Sequence, residues 1–247
     1  LLGFFSLISF FISNSLKKNI TLFLSSVLFS LYLVEFLLFF SVFNYYPDFF
    51  KKPNQDVVNR YEYYIDLKNK NNNKVKIIIH SDYNDEVKNV FPLGVLPNAL
   101  TVNCNENGYY SLFESDRYGF NNDNKDWDSN AIDFLLLGDS FVQGACVMFE
   151  DTITGNLKKD TNKIILNLGN GGNGPLQSYA ALKEYFPDQK VHNILWFFFE
   201  GNDIKDLYEE MTNPLLINYL QDDNFHQNLK FKQNEINEFL NNKFIAE

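Results

Sequence analysis

The chain has 247 residues and a net charge of −10, with 26 Phe and 14 Tyr. That aromatic mass supports a packed core and excludes a wholly disordered chain, while the acidic balance excludes a nucleic-acid backbone as partner, which needs clustered Lys and Arg. Two cysteines are too few for a disulfide scaffold. In chain order, residues 1–13 are uncharged and too short to span a bilayer, so they read as the end of a membrane helix that starts earlier. Asn14 to Asn19, with Lys17 and Lys18, reads as a tight polar loop. Ile20–Phe43 is apolar with one interruption, Glu35, to which no role is assigned. It is too long for the apolar part of a signal peptide and long enough for a transmembrane helix. The expectation is a membrane anchor over 1–47, its transmembrane helix at 20–43. Lys17 and Lys18 put the loop on the cytoplasmic side, so the chain after residue 47 lies outside the cytoplasm, in a periplasm or at the surface. Lys51 and Lys52 on the far side count against that orientation.

Residues 1–50 hold two Lys, one Glu and one Asp, so the whole acidic excess belongs to the rest. A loop-rich lead-in is expected over 48–130. In it, 51–74 reads as a linker, Val75–Ile79 as a short strand, and 81–130 as irregular with a hairpin around Asn105–Phe113. From residue 131 three apolar runs succeed one another, Ala131–Leu137, Lys163–Leu168 and Asn193–Phe199, apolar on both faces like buried parallel strands. Helical stretches at Glu150–Lys159 and Pro175–Phe186 separate them. The alternation implies an α/β domain over 131–247, in which ligands bind beyond the carboxyl ends of the strands.

Each run ends in a polar cluster at that position. After the first comes Gly138-Asp139-Ser140, with Gly144 further on. A Ser entering a helix there is well sited as a nucleophile, and equally as a helix N-cap. After the second comes Gly169-Asn170-Gly171-Gly172-Asn173-Gly174, a loop whose backbone N–H groups can approach a ligand. It lacks the Lys of a phosphate-binding loop. After the third comes Glu200-Gly201-Asn202-Asp203. Asn202 reads as an oxyanion donor or as a helix cap.

Together the clusters resemble the SGNH, or GDSL, hydrolases over roughly 131–210. The resemblance implies a flavodoxin-like three-layer α/β/α sandwich with a parallel sheet. It implies Ser140 as nucleophile, with an oxyanion hole of the Ser140 N–H, the Gly172 N–H (Gly171 as fallback) and the Asn202 amide. Asp139 and Asp203 are supporting residues. Glu200 departs from the family's third block, which has Gly there. The family's base block, Asp-x-x-His, is spelled by Asp223-Asn224-Phe225-His226. It comes too soon after Asp203 for a crossover and a strand, and the residues around it have helical spacing. The expectation is therefore that the base block lies beyond Glu247 and the chain is a fragment, with His226 and Asp223 the minor candidates and an enzyme without a base the third.

His80 and His192 match no block. Ser115–Asn121 is a candidate cleft segment, with Arg117 pinned by an ion pair. Cys146 reads as a small buried residue and Cys104 as a loop residue; a bond between them is open outside the cytoplasm. No metal cluster and no cofactor are expected. The function implied is serine ester hydrolysis on an O-acyl ester, with an envelope carbohydrate as substrate by analogy alone. An O-acyltransferase and a non-catalytic glycan-binding protein of the same fold are the rivals.

Overall fold

The structure, a computed structural model, describes residues 13–45, 55–71, 75–81 and 90–246. Contacts divide the chain into two units, Leu1–Asn54 and Gln55–Glu247. In the first, helix α1 spans Asn14–Tyr45. The most apolar 18-residue window of its stretch Asn14–Leu38 has a mean hydropathy of 2.0, and the whole stretch has 25 residues. At about 1.5 Å per residue that is longer than the ~30 Å of a bilayer's hydrocarbon core, so α1 is long and apolar enough to cross a membrane. The polar segment expected as a loop is helical. Ser13 Oγ accepts from the Leu16 N–H at 3.3 Å, which caps the helix ahead of Lys17 and Lys18. The partial helix expected over 1–13 lies outside the described residues, save Ser13.

In the second unit, helix α2 spans Gln55–Asn71, in place of the expected linker. Its polar composition conceals one apolar stripe. Tyr64 is buried, and Tyr63, Ile65 and Leu67 pack beside it against Val75 and Val102. On the outer face an Asp66–Lys70 pair at 2.6 Å adds helical support. Strands β1 (Val75–Ile77), β2 (Leu100–Val102) and β3 (Leu112–Glu114) form a small sheet in that order. β1 and β2 are parallel, β2 and β3 antiparallel. The Asn103 N–H donates to the Ser111 carbonyl at 2.9 Å, closing the expected turn.

The larger sheet is built from strands β4 (Ala131–Leu137), β5 (Ile165–Asn167) and β6 (Lys190–Trp196). All pairs are parallel, in the order β5-β4-β6. Helix α3 (Ser140–Gln143) comes after β4, α4 (Ile153–Thr161) links β4 to β5, and α5 (Pro175–Tyr185) links β5 to β6. Alternating side chains of β4 serve opposite faces. Leu135 and Leu137 join Leu176, Ala180 and Ala181 of α5, while Leu136 joins Ile153 and Leu157 of α4. Helices therefore cover both faces, which is why β4 reads as an apolar run broken only by Asp133. β6 departs from the expectation of a buried strand. It is one of the sheet's two edges among the described residues, and Ile194 and Trp196 are 46% and 54% exposed.

Three more helices belong to this unit: α6 (Asp203–Glu210), α7 (Pro214–Gln221) and α8 (Gln233–Ala246). Pro214 opens α7 and the Asn213 side chain accepts from the Leu215 and Leu216 N–H groups, so the start is set by sequence. Leu216, Tyr219, Ile236 and Leu240 are buried in the main core. Cys104 and Cys146 form a disulfide, with Cα atoms 4.7 Å apart. This corrects the reading of Cys146 as merely a small buried residue.

Candidate active site

The site begins where β4 ends. Gly138 turns the chain at φ +155, and a Cβ there would stand 2.6 Å from Val142 Cγ2. No other residue suits both conditions. Asp139 is the N-cap of α3, its Oδ1 accepting from the Phe141 N–H at 2.9 Å. Ser140 is thus the first helical residue, and the capping role is filled by its neighbour. The reading of Ser140 as a helix N-cap is displaced.

The loop after β5 is tied to α3. Asn167 is buried; its Oδ1 accepts from the Gly169 N–H at 2.7 Å, and its Nδ2 donates to the Val142 carbonyl and to Thr154 Oγ1. Gln143, also buried, donates from Nε2 to Asn170 Oδ1 at 3.0 Å and accepts the Gly171 N–H at 3.1 Å. That bond engages the Gly171 N–H, so the fallback donor has a partner already. Gly172, at φ +80, lines a cavity with Ser140. Beyond it, buried Glu210 accepts the N–H groups of Gly174, Leu176 and Gln177 at 2.8–3.0 Å. It caps α5, whose Pro175 has no N–H to offer. Burial pushes the Glu210 carboxyl up to about 7, against the pull of those three bonds.

The cavity has a volume of about 680 Å³. Ser140, Gln143 and Gly172 form one side, and His80, Arg60 and Lys243 come from distant parts of the sequence. His80 lies just after β1. It is half-buried as a residue, yet its Nδ1 is sealed from solvent without a partner. Burial holds its pKa down at about 4 despite a hydrogen bond to Asn170, so the ring is neutral at physiological pH. A Cβ on Gly171 would lie 2.8 Å from His80 Cε1. His80 thus packs directly against the glycine loop.

The third cluster stands at the start of α6. Asn202 occupies the N-cap position but makes no capping bond. Its Nδ2 donates to Asp206 Oδ2 at 2.8 Å, and its Oδ1 is buried without a partner. The helix-cap reading of Asn202 is therefore displaced too. Asn202 is not among the residues that line the cavity. Asp203 Oδ2 accepts the Phe199 N–H at 2.7 Å, which fixes the strand-to-helix turn. Burial raises the Asp203 pKa, and the nearby Asp139 carboxylate adds to the shift.

Asp223 and His226 are elsewhere. The His226 ring lies 3.9 Å from Glu184 Oε1, at the carboxyl end of α5. Pro175, at the other end, adjoins the glycine loop. Nine residues of helix are about 13 Å, so the pair stands at the wrong end of α5 to serve Ser140. The Asp223 carbonyl accepts from Lys183 on the same far side. Ser115–Asn121 is not a cleft wall either. Buried Asp116 gathers the Tyr118 and Phe120 N–H groups, Asn122 Nδ2 and Trp127 Nε1 at 2.7–2.9 Å. Asn121 Nδ2 then donates to the Gln143 carbonyl at 2.9 Å, steadying α3 from behind. Arg117 pairs with Asp128 at 2.6 Å, the expected pin. Among the described residues no group of acids, His or Cys has the makings of a metal site.

Sequence reasoning misses His80, Arg60, Glu209 and Lys243. His80 carries a usable signal, a polar residue that follows the apolar Ile77-Ile78-Ile79. The other three sit on helices whose faces only tertiary packing selects. Compared with protein-family models, with curated proteins and with solved structures, the chain matches none.

Chemically, the assembly offers a hydroxyl at the end of the central strand. Around it are backbone N–H groups on a glycine loop and a cavity for a ligand of several heavy atoms.

Proposed function

We propose that this chain is a serine ester hydrolase or acyl transferase of the SGNH type, anchored by α1, with its cavity outside the cytoplasm. The observation that carries the reading is the position of Ser140. It comes after the central strand of a parallel sheet whose order reverses at β4, it is freed from capping by Asp139, and it shares a cavity with Gly172. Ligands of open α/β sheets bind at such a switch point. On this reading Ser140 Oγ attacks an acyl ester carbonyl and expels the alcohol. The Ser140 and Gly172 N–H groups receive the oxyanion. An Asn amide carries two N–H donors, so Asn202 can keep Asp206 and lend the second. The proton acceptor is not His226, and His80 has its ring closed in by Asn170 and Gly171. No described residue is assigned as the proton acceptor. The Cys104–Cys146 bond supports an oxidising compartment. A carbohydrate ester is proposed by analogy alone.

The test is hydrolysis of p-nitrophenyl acetate by the membrane-embedded protein. Ser140→Ala should lower kcat by about 10³-fold or more, and Asn202→Ala by about 10²–10³-fold. A Ser140→Ala protein as active as the unaltered one would end the hydrolase reading and leave the fold to a binding role.

A further inference from the structure

Asn202, Asp206 and Glu210 stand four residues apart, a spacing that puts them on one face of a helix. α6 opens from the first of them, since the Asp206 N–H donates to the Asn202 carbonyl at 2.9 Å. Asp206 Oδ2 accepts from Asn202 Nδ2 at 2.8 Å. A carboxylate only accepts, so this bond turns the NH2 end of the amide toward it, and the second N–H diverges at the fixed angle of the amide plane. Glu210 is fully buried and accepts the Gly174, Leu176 and Gln177 N–H groups, which ties the last turn of α6 to the end of the glycine loop. An acid in the last turn of a helix opposes that helix's own dipole, whereas at the N-terminus of α5 it is favourable. The place of Glu210 is thus explained by its contact with α5 and not by α6 itself. The approach is close: a Cβ on Gly174 would stand 2.8 Å from Glu210 Oε2 and 2.9 Å from Asp206 Cβ. At its other side the loop is held by Gln143 of α3, which accepts the Gly171 N–H. Gly172 lies between these two anchors.

We infer that α6 is a positioning strut for acyl transfer: Glu210 sets the glycine loop, Asp206 aims the Asn202 amide, and one helical face fixes the spacing of the two oxyanion donors. This rests on the serine acyl-transfer reading and adds two positioning residues to it, neither of which touches the ester. Donors stabilise a developing charge best when they are held in place beforehand and need no reorganisation during the reaction. Asp206 acts through Asn202, and Glu210 acts through the loop.

The experiment has two arms. In the first, kcat and KM for p-nitrophenyl acetate are measured at about pH 8, where the Glu210 carboxylate is charged, and kcat is expressed per site titrated by a fluorophosphonate. A merely structural residue would lower the number of titrated sites and leave kcat per site unchanged. Asp206→Ala and Glu210→Gln should each lower kcat per site about tenfold, short of the 10²–10³-fold or so for outright loss of a donor, with KM changed less than about twofold. Asp206→Asn keeps an acceptor for Asn202 and should recover part of the loss. In an Asn202→Ala background, Asp206→Ala should have almost no further effect, while Glu210→Gln should keep its own. The second arm does not depend on catalysis. Hydrogen–deuterium exchange of the Ser140→Ala protein, read by mass spectrometry, should be faster over residues 169–177 when Glu210→Gln is added, and unchanged over β4. An unchanged kcat per site in Asp206→Ala and Glu210→Gln, an Asp206→Ala effect undiminished by Asn202→Ala, or equal exchange over 169–177 would overturn the inference and leave the serine reading standing. A Ser140 that neither labels nor turns over, with exchange still accelerated in Glu210→Gln, would end the serine reading and reduce Glu210 to an anchor of the loop.

Discussion

Removal of the Cys104–Cys146 bond is a sharp test of how the cavity is held. The bond closes a chain separation of 42 residues. In the chain-entropy account, such a loop restricts the unfolded ensemble by about 13 cal/mol/K, or about 4 kcal/mol at 25 °C. The bond joins the β2–β3 turn to the segment just after α3. Cys104 lines the cavity, and the Cys146 carbonyl also accepts from Asn107 Nδ2 at 3.3 Å. The double variant Cys104→Ala/Cys146→Ala should therefore lose about 4 kcal/mol. For a unit of this size that is a fall of about 10 °C in Tm. The two tryptophans, Trp127, buried and bonded to Asp116, and Trp196 of β6, both lie in this unit, so their fluorescence reports on it and not on α1. The assay is a thermal melt monitored by that signal, oxidised, reduced and in the variant. Reduced unaltered protein should match the variant. A Tm change below about 3 °C would refute the claim that the bond constrains this part of the fold.

Glu210 yields a pH prediction. Its folded pKa is raised to about 7, above an unfolded value near 4.3, so the folded state holds the extra proton between them. Stability should fall as pH rises from about 4.5 to about 7, by up to about 1.4 kcal/mol per unit, and level off above. Urea melts of Glu210→Gln should lack that slope, and equal slopes in the two proteins would contradict the assignment. Gly171→Ala should cost about 1–3 kcal/mol by driving a Cβ into the His80 ring, and adding His80→Ala should recover most of it. A double variant no more stable than the single one would sink that contact. Asp116→Ala leaves the Tyr118 and Phe120 N–H groups and Trp127 Nε1 without their acceptor and takes one of two acceptors from Asn122 Nδ2, and should cost more than about 3 kcal/mol in a denaturant melt; a loss under about 1 kcal/mol would mean the bonds are replaced by water.

The parallel sheet is legible in the sequence because burial on both faces leaves a mark on composition. Leu135, Leu136 and Leu137 are all buried, and no amphipathic strand would show three in a row. The glycine and Asp-Ser turns are legible for a similar reason, since a positive φ restricts what can stand there. Helix α2 is not legible: the buried Tyr64 and its few neighbours are lost among Asn, Lys and Asp, and only the small sheet packed beside them makes the stripe matter. β6 defeats the rule that an apolar run signals burial, because Ile194 and Trp196 face solvent at the sheet's edge among the described residues. In the site, Ser140 and Gly172 come from local pattern. His80, Arg60 and Lys243 meet there through long-range packing that no local pattern records, and the spelling Asp-x-x-His at 223–226 is a poor guide to position.

That Ser140 is a nucleophile is tested most directly by treating the membrane-embedded protein with a fluorophosphonate and mapping the adduct by mass spectrometry. The expected result is one adduct, on Ser140, absent from Ser140→Ala and suppressed by an ester substrate. An unlabelled Ser140, or a label placed equally on other serines, would contradict it.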